Sequence, residues 1–520
     1  MLDLLVQGAP LFFTFETILL TAMGIVAGLM IGVLPGLGPL MGIVLMLPVA
    51  FHLPPISAMG MLIAIYVGGS AGGSISAILL RIPGTPLAAA TLFDGYPMAQ
   101  KGRSQDAIGL SISASALGGL VGGMVLLFFS PLLAKFALRF APPEYAAMAL
   151  LGLMTIAIVS DGSAIKGMLA GALGLALASI GTDEFTQAYR FTFGNFNLSS
   201  GPHLVAVVVG LFALSELFFQ IERGGFLEHP KIQKLKVSFR GIRLALSHKI
   251  NLVRSALIGT FLGAIPGAGG DVSAFISYAV AKRAAGPDAG FGTGAEGGVV
   301  ATEAANNGCC GGALIPTLSL GIPGDASTAV LLGALYLLGF FPGPELFRYN
   351  PDIAGGIFIA YIMGNIALLV LGIVLVPFFG SVLKLQKAWL LPGVLLLSTI
   401  GTFALQNSVF DLWVMFTFGV IGYLLRKSSY PLAPILIGMI LGPILENNFR
   451  RALLISRDGP MIFVERPISA IILSIVTIML LYVVYDTIRS AKSKNKAQKA
   501  KDHMQAAVET YKKRHPHTSD

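Results

Sequence analysis

The sequence predicts an all-α polytopic membrane protein with about 10–12 spans. It is built from two inverted-topology repeats whose helices are broken within the membrane. Three observations carry this. The 520 residues are 55% hydrophobic and only 12% charged, with mean hydropathy +0.80, whereas soluble globular chains carry roughly 25% charge. Apolar runs such as "LVAVVVGLFALSELFF" (204–219) and "AIILSIVTIMLLYVVY" (470–485) approach the ~20 residues that cross a bilayer. A proline–glycine interruption inside one run also recurs later in the chain. The short alternating segments of a β-barrel are not visible.

Taken in order, residues 1–80 hold no Lys or Arg, so there is no charged n-region and no sign of a cleaved signal peptide. The first break, "GVLPGLGPL" (32–40), puts two prolines and three glycines where a membrane helix should be regular. Backbone left unpaired in lipid costs several kcal/mol per group, so such a break belongs beside a cavity. "GGSISAILLRIPGTP" (72–86) follows. Both recur: "GAIPGAGGD" (263–271) repeats the first at an offset of 231, and "GGALIPTLSLGIPGD" (311–325) repeats the second at 240. The nine-residue difference falls to an insertion in the second copy, the Gly-rich "AAGPDAGFGTGAEGG" (284–298). The organisation is therefore a first repeat half (1–220), a basic linker (221–250), a second half (251–465), a final helix (466–488) and a basic tail (489–520).

The net charge of +9 is concentrated in 223–249 and in the tail from Arg489. Basic segments of this kind stay in the cytoplasm, which accounts for them without nucleic acid. Equivalent positions carry opposite signals. The stretch after the first break lacks Lys and Arg in copy one but ends in Lys282-Arg283 in copy two. After the Ile-Pro-Gly break, copy one runs to Lys101 and Arg103 and copy two to "PGPELF". This reversal is what inverted repeats require. It places the N-terminus outside and the C-terminus in the cytoplasm. Arg450, Arg451 and Arg457 run against the scheme, because it puts them outside.

Paired breaks suit a binding site at the repeat interface. Half-helix N-termini present free N–H groups to an anion, and unwound carbonyls suit Na⁺. Carbonyls around Pro35, Gly36 and Gly38, and around Pro266, Gly267 and Gly269, together with Asn306, are the candidate cation ligands. The candidate substrate residues are Gly73, Ser74, Arg81, Pro83, Gly84 and Thr85 in copy one. In copy two they are Asn306, Asn307, Pro323, Gly324, Asp325 and Ser327. Small hydroxyls also serve helix packing. Arg81 either pairs with a substrate carboxylate, reaches an interface or pairs with Asp94. Glu303 is either a proton or cation site or a helix-end acceptor. Asp161 and Lys166 read as loop residues. The two cysteines, Cys309 and Cys310, are too few for a zinc site and read as packing residues. No HExxH, Walker motif or Ser/His pairing occurs, so neither an enzyme nor direct ATP drive is expected.

The stretches "GVLPGLGPL", "GGSISAILLRIPGTPLAAATLFDGYPMAQKG", "GAIPGAGGD", "EAANNGCCGGALIPTLSLGIPGD" and "ENNFRRALLISRDG" carry a resemblance. Over about 1–487 the chain resembles the large membrane subunit of bacterial tripartite tricarboxylate transporters. The resemblance implies an inner-membrane symporter subunit that moves a di- or tricarboxylate, such as citrate, on a Na⁺ or H⁺ gradient. It implies a small membrane subunit and a periplasmic solute-binding protein as partners, an elevator motion, and no cofactor beyond the coupling ion. The family's hairpin motifs fall on Pro35–Gly38, Gly72–Ser76, Pro266–Gly269, Glu303–Gly308 and Pro323–Asp325. Arg81 stands where the family has an uncharged polar residue. An ion channel, or an anion transporter of another class working without a binding protein, is the alternative. Channel filters, however, repeat around a symmetric pore.

Overall fold

The Thr14 side chain accepts the backbone N–H of Thr17 and starts the first long helix, Phe15–Val33. Asp325 and Ser408 start later helices in the same way in the computed structural model. It describes residues 2–34, 37–159, 163–223, 235–266, 270–382 and 387–485. Pro35, Gly36, Asp161, Lys234, Gly267, Gly269 and the tail lie outside the described residues, as does the side chain of Asp271.

The first half comprises α1 (Leu2–Phe12), α2 (Phe15–Val33), α3 (Gly38–Ala50) and α4 (Pro55–Leu80). A 3-10 helix (Pro86–Phe93) leads to α5 (Ser104–Ala137), α6 (Pro142–Val159), α7 (Ala164–Ala178) and α8 (Leu204–Glu222). After a short helix at Arg240–Ser247 come α9 (Lys249–Gly263), α10 (Gly270–Ala285), α11 (Glu296–Leu320) and α12 (Ala326–Leu337). Then follow α13 (Pro351–Val374), α14 (Lys387–Gln406), α15 (Val409–Lys427), α16 (Ala433–Ile455) and α17 (Pro467–Tyr485). Among the described residues, seven helices are long and apolar enough to cross a membrane. At 1.5 Å per residue, α3 and α12 reach only about 20 Å, short of the ~30 Å hydrocarbon core.

Packing recurs between the two halves. Helix α2 lies along α4 as α9 lies along α11, and α3 meets α4 as α10 meets α11. The recurrence holds residue by residue at the offsets of 231 and 240. A Cβ built on Gly28 would stand 2.6 Å from the Ile65 carbonyl oxygen, and one on Gly259 2.1 Å from that of Ala305. On Gly32 it would stand 2.3 Å from Gly69 O, and on Gly263 2.3 Å from Cys309 O. Gly68 faces Ile25 O as Gly308 faces Ala256 O, and Gly72 faces Leu29 O as Gly312 faces Thr260 O. Any side chain at these positions would force backbones apart, which is why glycine occupies them.

Lys101, Arg103 and Arg240 lie together at one end of the molecule. Lys101 Nζ donates to Thr293 O at 2.6 Å, in the link that follows Lys282-Arg283. Arg103 pairs with Glu296, and Arg240 lies 3.6 Å from Asp106. Helix α5, about 50 Å long by its residue count, carries the chain to the other end. There Arg466 Nε donates to buried Glu144 at 2.6 Å. A two-residue hairpin (Gly181–Thr182 with Tyr189–Arg190) also folds back onto α16. Asp183 accepts from the Thr186 and Phe185 N–H groups and from Arg450, contacts that hold its carboxyl below the usual range. Arg450 also lies 2.8 Å from Glu446, so this arginine is tied down by two carboxylates.

Candidate functional site

Helix α4 ends where Arg81 turns into the left-handed region (φ 59°), and α11 ends at Gly321 with φ 70°. The two are equivalent at the offset of 240. For a residue with a Cβ this costs about 1–2 kcal/mol, so Arg81 holds a glycine's conformation. Proline after Ile82 and Ile322 then keeps the chain from resuming the helix. In copy one, Gly84 N–H donates to Gly73 O at 3.0 Å, and Thr85 caps the 3-10 helix by accepting Ala88 N–H at 3.3 Å. In copy two, Asp325 caps α12 by accepting Thr328 N–H at 2.7 Å, while Thr328 Oγ1 accepts Asp325 N–H at 2.9 Å. The first break therefore opens a 3-10 helix and the second an α-helix.

The two breaks of copy one meet. A Cβ on Gly38 would sit 3.6 Å from Thr85 Cγ2, and one on Gly84 would sit 2.3 Å from Gly32 O. Gly73 leaves no room for a side chain beside Thr85, whose Oγ1 would lie 2.5 Å from an added Cβ.

Helices α4 and α11 meet through polar groups. Asn306 Nδ2 donates to Ser70 O at 3.1 Å and Asn307 Nδ2 reaches Val67 O at 3.5 Å. Cys310 Sγ lies 3.3 Å from Ser70 Oγ. Tyr361 of α13 donates to Asn307 O at 2.9 Å, and Tyr66 donates to Asp325 Oδ2. Both asparagines are fully buried, and the Oδ1 atom of each has no hydrogen-bond partner. Two orphaned acceptors on successive residues, facing α4 from the middle of α11, are suited to a cation.

One turn earlier on α11, the fully buried Glu303 carboxylate accepts from Thr91 Oγ1 and, at 2.7 Å, from Ser115 Oγ. Asp94 is occupied elsewhere. Its Oδ1 accepts the N–H groups of Gly292 (2.8 Å), Gly294 (2.7 Å) and Ala295 (2.8 Å), and its Oδ2 accepts Tyr278 OH (2.9 Å). It thereby clasps the link between α10 and α11.

Among the described candidates, Gly38, Gly73, Gly84 and Thr85 come together, and Asn306 and Asn307 reach α4 directly. Asp325 is joined to α4 by Tyr66, while Ser74 Oγ turns to Ser111 Oγ at 2.6 Å. Pro323, Gly324 and Ser327 are buried at the second break. Pro266 is half-buried at the end of the link after α9. Arg81 stands apart, exposed, with its guanidinium 5.5 Å from the Tyr96 ring centroid. Tyr66, Thr91, Ser115 and Tyr361 were not singled out from the sequence. Only Tyr66 carried a signal, since the offset of 240 places it opposite Asn306.

A sequence model of the tripartite tricarboxylate transporter TctA family matches residues 18–437. An uncharacterised 52.8 kDa protein in the TAR-I ttuC' 3' region of Agrobacterium vitis is 34% identical over 473 residues, covering 91% of this chain and 94% of that protein. An uncharacterised protein in the TAR-II ttuC' 3' region of the same organism is 35% identical over 234 residues, covering 45% of this chain and 97% of that protein. No solved structure matches.

Proposed function

The chain belongs to the tripartite tricarboxylate transporter TctA family, and from that premise we propose that it imports a di- or tricarboxylate by Na⁺-coupled symport. A periplasmic solute-binding protein delivers the substrate, and a small membrane subunit accompanies the chain in the bacterial inner membrane. The halves 1–220 and 251–465 act as inverted repeats, with the basic linker and tail in the cytoplasm and the N-terminus in the periplasm. Transport then proceeds by an elevator motion of the segment that carries the breaks.

The observation that carries this reading is the meeting of α4 and α11. Under the offset of 240, Cys310 against Ser70 and Asn307 against Val67 are contacts between a position and its own counterpart. Such contacts occur where a pseudo-two-fold axis passes, and repeat transporters bind ligand at that interface. The orphaned Oδ1 atoms of Asn306 and Asn307 support the Na⁺ assignment there. The carboxylate is assigned to the first break, with the Thr85 region and Arg81 as its partners. The test is uptake into proteoliposomes holding all three proteins, across a panel of di- and tricarboxylates, with and without a Na⁺ gradient. Saturable, Na⁺-dependent uptake of one carboxylate class is expected. Uptake indifferent to the binding protein would overturn the tripartite reading.

A further inference from the structure

Glu303 lies in the middle of α11, fully buried. Among the described residues no Lys, Arg or His pairs with it. An ionised carboxylate buried without a counter-charge costs several kcal/mol, so the neutral acid is the cheaper state of this group. Its neighbours decide whether that state is permanent. They are hydroxyls: Thr91 on the 3-10 helix, Ser115 and Ser111 on α5, and Ser74 on α4. A hydroxyl donates to a carboxylate and equally accepts from a carboxylic acid. An apolar pocket would hold the acid and an arginine would hold the anion, whereas a shell of hydroxyls accommodates either.

The proton bookkeeping agrees. Thr302 Oγ1 donates to the Gly298 or Val299 carbonyl, at 3.2 and 3.1 Å. It can accept from Thr91 Oγ1, 3.0 Å away. If Thr91 spends its proton there, Glu303 must supply the proton between itself and Thr91. If Glu303 is ionised, Thr91 turns and donates to it.

Charged and titratable groups on the packed elements are engaged or distant. Asp94 is held by Tyr278 and backbone N–H groups, and Tyr66 by Asp325. Asp106 is held by Arg103 and Arg240, and Arg254 by Asn251. Lys135, Lys249, Lys282 and Arg283 are exposed at helix ends. The shell also touches the first break, since Ser74 follows Gly73, which packs on Thr85.

We propose that Glu303 is a proton-carrying site of this protein, taking up one proton to form the carboxylic acid and releasing it on the opposite side during the transport cycle. This rests on the transporter reading above and is separate from the Na⁺ ligands assigned to Asn306 and Asn307.

The test has two arms. In the first, the purified full-length chain is titrated by infrared difference spectroscopy, comparing wild type with Glu303→Gln. A carboxylic-acid carbonyl band present in wild type, absent in the variant, lost at high pH and unaffected by Na⁺ is expected. Ser115→Ala, which keeps the carboxyl but removes one hydroxyl that donates to it, is expected to move the loss of that band to higher pH. In the second arm, the reconstituted complex is given an inward-acid gradient. Glu303→Gln is expected to keep carboxylate exchange and lose the pH dependence of accumulation. No difference band at any pH, removal of the band by Na⁺, or wild-type pH dependence in Glu303→Gln would each overturn the proposal. A wild-type complex that moves no carboxylate overturns the transporter reading instead, and the spectroscopic arm still decides whether Glu303 binds a proton.

Discussion

Cys310 Sγ lies 3.3 Å from Ser70 Oγ, and the two residues hold equivalent places in the two halves of the chain. Replacing Ser70 by Cys in a Cys309→Ser background places two thiols at this contact. Mild oxidation is expected to join them. With a protease site inserted in the linker, the two halves should then stay together on a non-reducing gel and separate after reduction. Halves that separate under both conditions would remove the contact between α4 and α11.

Arg81 combines a backbone demand with a charge, and two variants separate them. Arg81→Gly removes left-handed strain of about 1–2 kcal/mol and loses a cation–π contact of about 0.5–1 kcal/mol, so its melting temperature should match or exceed wild type. Arg81→Gln keeps the strain and loses the contact, and should melt lower. If the guanidinium grips a substrate carboxylate, both variants should weaken half-saturation by roughly 10- to 100-fold, the equivalent of about 1.5–3 kcal/mol. A normal half-saturation concentration in a well-folded Arg81→Gly would take Arg81 out of the substrate site.

Asn306 offers a cation its unpartnered Oδ1. Asn306→Ala should raise the Na⁺ concentration for half-maximal uptake by about 5- to 10-fold, since a neutral contact contributes about 1–1.5 kcal/mol. The fold should tolerate the change, because the lost bond to Ser70 O is offset by removal of an unsatisfied acceptor. Unchanged Na⁺ dependence in the purified complex would refute the assignment.

Asp94 clasps residues 292–295 by three backbone hydrogen bonds and accepts a fourth from the Tyr278 hydroxyl. Asp94→Ala takes the acceptor from three N–H donors, one on exposed Gly292 and two on half-buried Gly294 and Ala295, and should cost about 1–3 kcal/mol, with faster proteolysis within 286–295. Asp94→Asn is expected to be milder. Its Oδ1 can still accept the three N–H groups, and its Nδ2 can donate to the Tyr278 hydroxyl. Equal proteolysis of all three proteins would show that the link is held by other contacts.

Much of this arrangement can be read from the chain. The breaks, their two offsets and the Asn306-Asn307 pair are visible as patterns, and the offsets carry each glycine–carbonyl contact of one half onto the other. Arg81 shows why reading stops short: the offset sets it opposite Gly321, yet its charge points attention to ligands rather than to the αL turn it must make. The shell around Glu303 is assembled from Thr91 and Ser115, 212 and 188 residues away, and no local spacing reveals such partners. The same holds for Arg450, whose partner Asp183 lies 267 residues away in the chain.

The glycine seams also carry a mechanical consequence. At Gly32 against Gly69, and at Gly263 against Cys309, main chain rests directly on main chain. No rotamer stands between the helices that could change and let them slip. Each pair, α2 with α4 and α9 with α11, answers a load as a single beam. The first break is fastened to the first of these beams, since Gly84 N–H donates to Gly73 O and Gly84 rests on Gly32 O.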